Sequence, residues 1–508
     1  MTVWPGHAGT HDAPGARPAA RRRRIAVIGG GIAGLAAAHR LVELTSTVPY
    51  GLDVTLLEAA PRLGGSIATE HRDGYVIEAG PDAFLTEKPW AVALCERLGL
   101  ADRLIGTRAD RRRTYVLHGG RLRRLPEGFA LMAPTRLGSV WRSDLFTWRG
   151  KARMALDLVL PRGPDRDDES LAAFVTRRFG REVLDRVAEP LVAGIYTADA
   201  ATLSLRATMP RLLDLERRHR SLILALRRAR PAGDGAGRQA GPGGSSGPRW
   251  GLFATPDAGM GLLISALASR LPAGAMRLGA GVRAIVPSGN PGAPARYRIV
   301  VDGGPAVPAD GVVVAARAPE AAALVEELDP RLADLLRSIP YASSATTTLA
   351  FDRRQIAHPL DAFGFVVPRA EHVPLLACTF CSVKFAGRAP EGRVLLRAFA
   401  GGALRHDDLA RDDDALAAMT EAALRPLLGI SGRPHLVRVH RHAGAMPQYL
   451  LGHGARVAQI EARAHAHAGL ALAGGAYRGI GIPDCIHSGE EAAERVLGAI
   501  VPQSAARR

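Results

Sequence analysis

The stretch Arg24-Ile-Ala-Val-Ile-Gly-Gly-Gly-Ile-Ala-Gly-Leu-Ala-Ala-Ala-His-Arg-Leu-Val-Glu43 reads as a buried strand, a glycine turn and a helix. Ile25 to Ile28 is a short apolar run suited to a central parallel strand, and Leu35 to Leu44 carries helix formers with apolar residues at three-to-four spacing. Between them stands Gly29-x-Gly31-x-x-Gly34. The first glycine permits a tight turn, the second lets a pyrophosphate approach the backbone, and the third lets the helix pack on the strand. The helix start then presents free N–H groups to phosphate. A second strand, Val54-Thr-Leu-Leu-Glu58, ends in a carboxylate near the ~20-residue offset at which a ribose needs an acceptor. Arg62-Leu-Gly64-Gly65-Ser66 follows where an NAD site would proceed to a third strand, and its glycine doublet predicts backbone lying along a larger dinucleotide.

At 508 residues the chain predicts two intimately connected domains with a large core. Hydrophobic residues at 47% and charged residues at 23% exclude a disordered chain. The net charge of +17 is carried almost wholly by arginine, the only lysines being Lys88, Lys151 and Lys384. Nucleic acid is not the expected partner, because aromatics are only 5% and no reading module is present; a solvated basic surface is the favoured reading. Four cysteines in so long a chain point to a reducing compartment, not a disulfide framework. No run approaches the ~18 apolar residues of a membrane span, so a cytoplasmic, soluble protein is expected. The arginines at 21–24 precede an apolar stretch that is the nucleotide strand itself, so they are not an export signal.

Residues 1–24 lack any periodic pattern and form a basic, disordered tail. Tyr75-Val-Ile-Glu78 is a strand that breaks at Gly80-Pro81, and a helix runs from Pro89 to Leu98, stopped by Gly99. Residues 134–230 are helical, with Ser170 as the N-cap of Leu171–Phe179 and Gly180 as its stop. The Gly/Pro-rich segment 231–249 is a mobile loop, and Gly243-Gly-Ser245-Ser-Gly247 within it matches a serine-hydrolase pattern without the required strand and helix. Hairpin strands are expected at Val282–Val286 and Tyr297–Val301, and a strand returning to the first sheet at Gly311–Ala316. Residues 340–445 alternate short strands with turns around a helix near Asp414–Leu428, which suits an antiparallel sheet. Strand, glycine loop and helix recur at Leu470–Ile500, where Pro483 in the first turn turns the N–H groups of residues 480–482 outward.

Cys378-Thr-Phe-Cys381 has the spacing of a zinc or redox pair but lacks a second pair. His465-Ala-His467 and His440-Arg-His442 would each share one face of a strand, and without a third ligand they read as ordinary packing histidines. No metal site and no catalytic acid–base pair is expected.

Beyond the nucleotide fingerprint, the chain resembles the FAD-dependent porphyrinogen oxidases of haem synthesis, within the amine oxidase-like flavoproteins. The resemblance rests on Gly80-Pro-Asp-Ala-Phe-Leu-x-x-Lys88, Glu189-Pro-Leu-Val-Ala-Gly-Ile-Tyr196, Leu203-Ser-Leu205, His219-Arg-Ser-Leu-Ile-Leu224, Met446-Pro-Gln-Tyr-Leu-Leu-Gly-His453 and Gly479-Ile-Gly-Ile-Pro-Asp-Cys-Ile486. It is closest to the soluble bacterial branch. It implies an α/β plus α+β architecture: a Rossmann-like FAD-binding domain in three pieces (25–105, 253–320, 453–508), an antiparallel-sheet substrate domain in two (106–252, 321–452), and a helical insertion at 134–230. FAD contacts then fall on Gly29, Gly30, Gly31, Ile32, Ala33, Gly34, Glu58, Ser66, Gly80, Pro81, Asp82, Ala83, Val282, His442, Ile480, Gly481 and Ile482. Lys88 becomes a substrate-propionate contact and Phe399 a substrate neighbour. Ser66, Ala198, Phe399 and His442 depart from residues frequent in relatives.

The activity implied is oxidation of a porphyrinogen to the porphyrin, with oxygen as acceptor, peroxide as by-product, and coproporphyrinogen III ranked above protoporphyrinogen IX. Hand-over to a chelatase and peripheral membrane contact are compatible with it. An amine oxidase or carotenoid desaturase would share the nucleotide motifs, and a non-catalytic basic binder is the remaining alternative.

Overall fold

The computed structural model describes residues 22–130, 133–164, 166–228, 251–289 and 295–500. The tail, apart from Arg22 to Arg24, the loop 231–249 and the hydrolase-like match within it lie outside the described residues. The first strand begins at Arg23, inside what the sequence assigns to the tail, because Arg23 and Arg24 pair with Leu52 and Asp53 of the next strand.

Five parallel strands form the first sheet in the order Met276–Arg277, Leu52–Leu57, Arg23–Ile28, Gly311–Val314, Leu470–Leu472. The central strands are apolar throughout because both faces are covered. Ile25, Val27, Val313 and Ala471 enter a core with the first helix, Ile32–Leu44, and the last, Ile482–Ile500. Ala26, Ile28, Val312, Val314, Leu470 and Leu472 enter another, against Ala318–Val325, Pro330–Arg337 and His453–Ala466. First and last helix meet at Gly489, where a Cβ would stand 2.1 Å from the Ala33 carbonyl oxygen.

The second sheet has seven strands, in the order Leu436–Pro447, Tyr341–Asp352, Arg393–Gly401, Ala377–Phe380, Gly364–Val366, Tyr115–His118, Arg121–Arg124. Adjacent strands run antiparallel except Gly364–Val366 beside Tyr115–His118. Two of them, Tyr341–Asp352 and Leu436–Pro447, run for 12 residues, not the short strands that the sequence suggests. Ser344, Thr346, Thr348, His440 and His442 put polar residues on one face, and so hide strand length, because that face meets the backbone of residues 78–80 through Thr346 and His442 instead of a hydrophobic layer. On the other face Leu349, Phe351, Leu396, Ala398 and Phe380 pack with Leu424 and Leu428 of the helix Asp413–Leu428.

Between residues 137 and 228 short helices build their own core around Phe174, Phe179, Val187 and Leu203. Ser170 caps Leu171–Phe179 through Ala173 N–H, and Gly180 ends that helix at φ +92°. The insertion is held together internally by buried charge: Asp157 and Arg178, both essentially without solvent exposure, lie 2.6 Å apart. No described helix is long and apolar enough to cross a membrane.

Candidate functional site

The glycine turn after the first strand is shaped by close backbone approach. At Gly29, φ is +105° and a Cβ would lie 2.6 Å from the Ala315 carbonyl oxygen; at Gly34 it would lie 1.8 Å from Gly29 O. Gly31 differs, since nothing stands within 4 Å of its Cβ position. It is also the N-cap of the first helix, and no side chain caps that helix end. The opening N–H groups beside Ile32 and Ala33 therefore flank an open space, the arrangement that accepts an anion.

Neighbouring segments wrap this turn. Glu58, at the end of the second strand, accepts from Gly30 N–H at 2.5 Å and from Ala60 N–H at 2.7 Å. Its backbone pairs with Arg277 and Ala280, which brings the strand bearing Val282 alongside. Gly64 N–H donates to Gly30 O at 2.8 Å, and residues 31 and 64 form a parallel bridge. Ser66 is exposed, and its carbonyl lies against Gly80, where a Cβ would sit 2.0 Å from it.

From Gly80 the chain meets the polar face of the second sheet. Arg397 donates to Gly80 O at 2.6 Å and Glu78 O at 3.2 Å; Thr346 and His442 both bond Ala79 O, at 3.3 Å and 2.9 Å. Three strands thus hold residues 78–80 by their carbonyls. Because a carbonyl only accepts, Nε2 of His442 carries the proton there. Burial lowers the pKa of His442 and of His440. Asp82 sits between Lys384 at 3.0 Å and Arg397 at 3.5 Å. Burial alone would raise its pKa, but these cations win and hold it at about 2. Pro81 and Ala83 flank it, half-buried, and Phe399 lies under the Arg397 guanidinium, 5.0 Å from its ring centre.

The recurring loop near the C-terminus completes the arrangement. Ile480 packs against the helical insertion's core, whereas Ile482, at the start of the last helix, enters the core of the first sheet, so the intervening Gly481 stands where the two units meet. Asp484 lies beneath this loop: a Cβ on Gly479 would meet its Cγ at 2.4 Å, and one on Gly481 its Oδ2 at 3.0 Å. Lys88 reaches Asp484 at 2.5 Å and thereby links the segment after Gly80 to the last helix. Burial, with Asp484 nearby, pushes the Tyr196 phenol up to about 12, and its hydroxyl donates to Thr208 O.

The structure therefore gathers Gly29–Gly34, Glu58, Ser66, Gly80–Ala83 and His442 through direct contacts, with Val282 beside Glu58. Lys88 and Ile480–Ile482 join from the C-terminal side. Sequence reasoning missed Arg397, Thr346, Lys384 and Asp484 as holders of this backbone. Lys384 carried a signal, as one of three lysines in an arginine-rich chain, and Asp484 stands in the Gly479–Ile486 motif that carries the family resemblance; Arg397 and Thr346, polar residues inside strands, carried none. His465 is helical, not on a strand, since the Ala, Arg, Gln and Glu residues of His453–Ala466 favour that helix; His467 caps it and pairs with Asp329 at 3.0 Å. Cys378 and Cys381 are buried free thiols whose pKa values burial raises. No group of three His, Cys, Asp or Glu residues able to hold a metal occurs among the described residues.

Comparison with known proteins bears on the same geometry. The family model for flavin containing amine oxidoreductase matches residues 32–497. Coproporphyrinogen III oxidase of Bacillus subtilis (strain 168) is 35% identical over 477 residues, covering 94% of this chain and 98% of the relative. Protoporphyrinogen oxidase of Bos taurus is 30% identical, covering 94% and 98%. A solved structure from Exiguobacterium sp. 255-15 superimposes with a TM-score of 0.80 at 30% identity, covering 93% of this chain and 98% of its own.

Proposed function

This chain belongs to the flavin containing amine oxidoreductase family, as an FAD-dependent oxidoreductase, and we propose that it oxidises coproporphyrinogen III to coproporphyrin III. The observation that carries the substrate is the near-full-length similarity to relatives named coproporphyrinogen III oxidase, at 35% identity in Bacillus subtilis and in Propionibacterium freudenreichii subsp. freudenreichii. Protoporphyrinogen IX is the second reading, favoured by the similarity to the bovine protoporphyrinogen oxidase.

The residues fit FAD. The open position at Gly31 and the uncapped helix start suit a pyrophosphate, and the Glu58 carboxylate, already fixed by Gly30 N–H and Ala60 N–H, suits a ribose. Residues 80–83, Ser66, Val282, His442 and 480–482 would line the rest of the dinucleotide. Bound FAD supplies the acceptor for a hydride from a porphyrinogen methylene bridge, with molecular oxygen as the final acceptor and hydrogen peroxide as product.

The flanking pyrroles stabilise the cation that develops at the bridge, so the protein's task is to orient the macrocycle and exclude water. The polar sheet face would be one wall, with Phe399 offering an apolar surface, and the helical insertion the other. Lys88 stands on the rim of the segment after Gly80, its side chain 43% exposed, and would meet a propionate.

Steady-state rates on the two porphyrinogens test the proposal. We expect the higher kcat/KM on coproporphyrinogen III, and a clear preference for protoporphyrinogen IX would replace the first reading by the second. Colourless protein that cannot be loaded with FAD would remove both.

A further inference from the structure

The connection 473–481, between the strand Leu470–Leu472 and the last helix, has no ladder of its own. Its backbone is held instead by side chains: Ser488 Oγ of the last helix accepts from Gly474 N–H at 3.0 Å, and two further side chains reach it from a distant turn. The Tyr449 hydroxyl donates to Gly475 O at 2.8 Å and accepts from Gly479 N–H at 2.8 Å. His453 Nε2 donates to Tyr477 O at 2.9 Å. The two rings stack at 3.9 Å, 14° from parallel, and each residue is 1% exposed. Alternate residues of the connection, 475, 477 and 479, are thus pinned from one side by a single stacked pair. Burial raises the phenol's pKa and lowers the imidazole's, so both groups stay neutral and keep their donor roles.

The turn that carries this pair is itself anchored to the helical insertion. Ser204 N–H donates to Tyr449 O at 2.8 Å, and Gln448 Nε2 donates to Tyr196 O at 3.1 Å. Asp168 accepts from Ser204 Oγ at 2.8 Å and from Gly452 N–H at 3.0 Å. One short turn therefore grips the insertion through backbone and amide groups and grips the 475–479 backbone through two rings. A packing role alone would not require the hydroxyl, which makes both of its hydrogen bonds to one loop.

We propose that Tyr449 and His453 are positioning residues that set the 475–479 loop, and with it the N–H groups of residues 480–482, against the flavin ring, so that the placement of the substrate-side insertion is transmitted to the ring's electrostatics. The inference rests on the reading of residues 480–482 as flavin-facing. N–H groups at a helix start favour the anionic, reduced ring, so their displacement lowers the flavin's midpoint potential.

The test uses the full-length, FAD-loaded protein with Tyr449→Phe and His453→Phe, each of which keeps a ring in the stack. FAD dissociation constant, visible absorption, midpoint potential by anaerobic titration, and kcat against KM are measured for both and for the wild type. In Tyr449→Phe we expect roughly tenfold weaker FAD binding from the orphaned Gly475 and Gly479 groups, a lower potential, shifted visible bands, and a fall in kcat with KM within about twofold. His453→Phe should move the same quantities in the same direction by less, and it carries the test if Tyr449→Phe does not fold. A folded variant with wild-type affinity, spectrum and potential would overturn the positioning role while leaving the flavin assignment standing. A wild type that takes up no FAD would overturn the flavin assignment and the positioning role together.

Discussion

Two strand–glycine–helix units sit side by side in the first sheet's core, one at residues 25–44 and one at 470–500, and they are held in different ways. In the first the glycines set most of the shape: Gly29 and Gly34, lacking a Cβ, leave room for the carbonyls of Ala315 and Gly29, and Glu58 adds one bond to Gly30 N–H. In the second the shape comes from outside, through Tyr449, His453 and Asp484. The Gly34 contact on Gly29 O is specified within a few residues, although Gly29 also needs the Ala315 carbonyl of the neighbouring strand. A loop shaped by distant side chains is specified only when the whole chain is folded, and its position can register events elsewhere.

The largest effect should come from Gly34→Ala. The new Cβ would stand 1.8 Å from Gly29 O, backbone that cannot step aside, so the first helix must lift from its strand. Overpacking costs about 1–3 kcal/mol where neighbours can shift and more where, as here, they are backbone, and loss of folded yield together with FAD is expected by circular dichroism and absorption. Gly31→Ala sharpens the contrast. Its Cβ would enter open space, so the melting temperature should hold while FAD retention falls; equal retention would argue against the pyrophosphate position.

Next comes the ion cluster that ties the segment after Gly80 to the second sheet. Asp82→Ala leaves Lys384 and Arg397, 13% and 4% exposed at their side chains, without their carboxylate. Removing one partner of a buried pair costs about 3–5 kcal/mol, to be read from chemical denaturation. Asp82 has a folded pKa near 2, below its ordinary 3.8, so its stabilisation is complete above that ordinary value and is lost as pH falls towards 2. A variant whose low-pH stability profile matches the wild type would remove Asp82 from that balance.

The contrast also separates what was readable in the sequence from what was not. The 25–34 turn, the Glu58 carboxylate and the caps at Ser170 and Gly180 follow from local spacing and local sterics, and the structure has each of them. Strand length between Tyr341 and Pro447 was hidden because Thr346, Arg397 and His442 serve a backbone 267 or more residues away in the chain. No period of two or 3.6 encodes such a partner. Pro447-Gln-Tyr449 stood out by family resemblance, but its hydroxyl's two backbone bonds depend on a loop that begins more than twenty residues later.

Histidines give a smaller, graded effect. Burial lowers the pKa of His39, His358, His440, His442 and His453 below the ordinary 6.5. The unfolded chain takes up protons first as pH falls below 6.5, so stability present above that value declines towards the lower folded values. The melting temperature should therefore drop as pH falls below 6.5, above the Asp82 transition, and His442→Phe should reduce that slope if the imidazole on Ala79 O contributes. An unaltered slope would assign the effect to the other four.

The smallest change in stability, and the most informative in kinetics, belongs to Lys88. Its side chain is 43% exposed, so the pair with Asp484 is screened by solvent, and Lys88→Ala should cost under ~1 kcal/mol. Two roles would still slow turnover. If Lys88 meets a substrate propionate, coproporphyrinogen, with four propionates, should lose roughly ten- to a hundredfold in kcat/KM and protoporphyrinogen, with two, should lose less. If it acts by neutralising Asp484 beneath the 479–481 loop, both substrates should lose equally, and Asp484→Asn should abolish the difference between lysine and alanine at position 88. The double-mutant cycle on both porphyrinogens separates the roles: a Lys88→Ala loss that persists at full size in the Asp484→Asn background, and only for coproporphyrinogen, places the lysine on the substrate. A loss that vanishes there places it in the externally held loop, beside Tyr449 and His453.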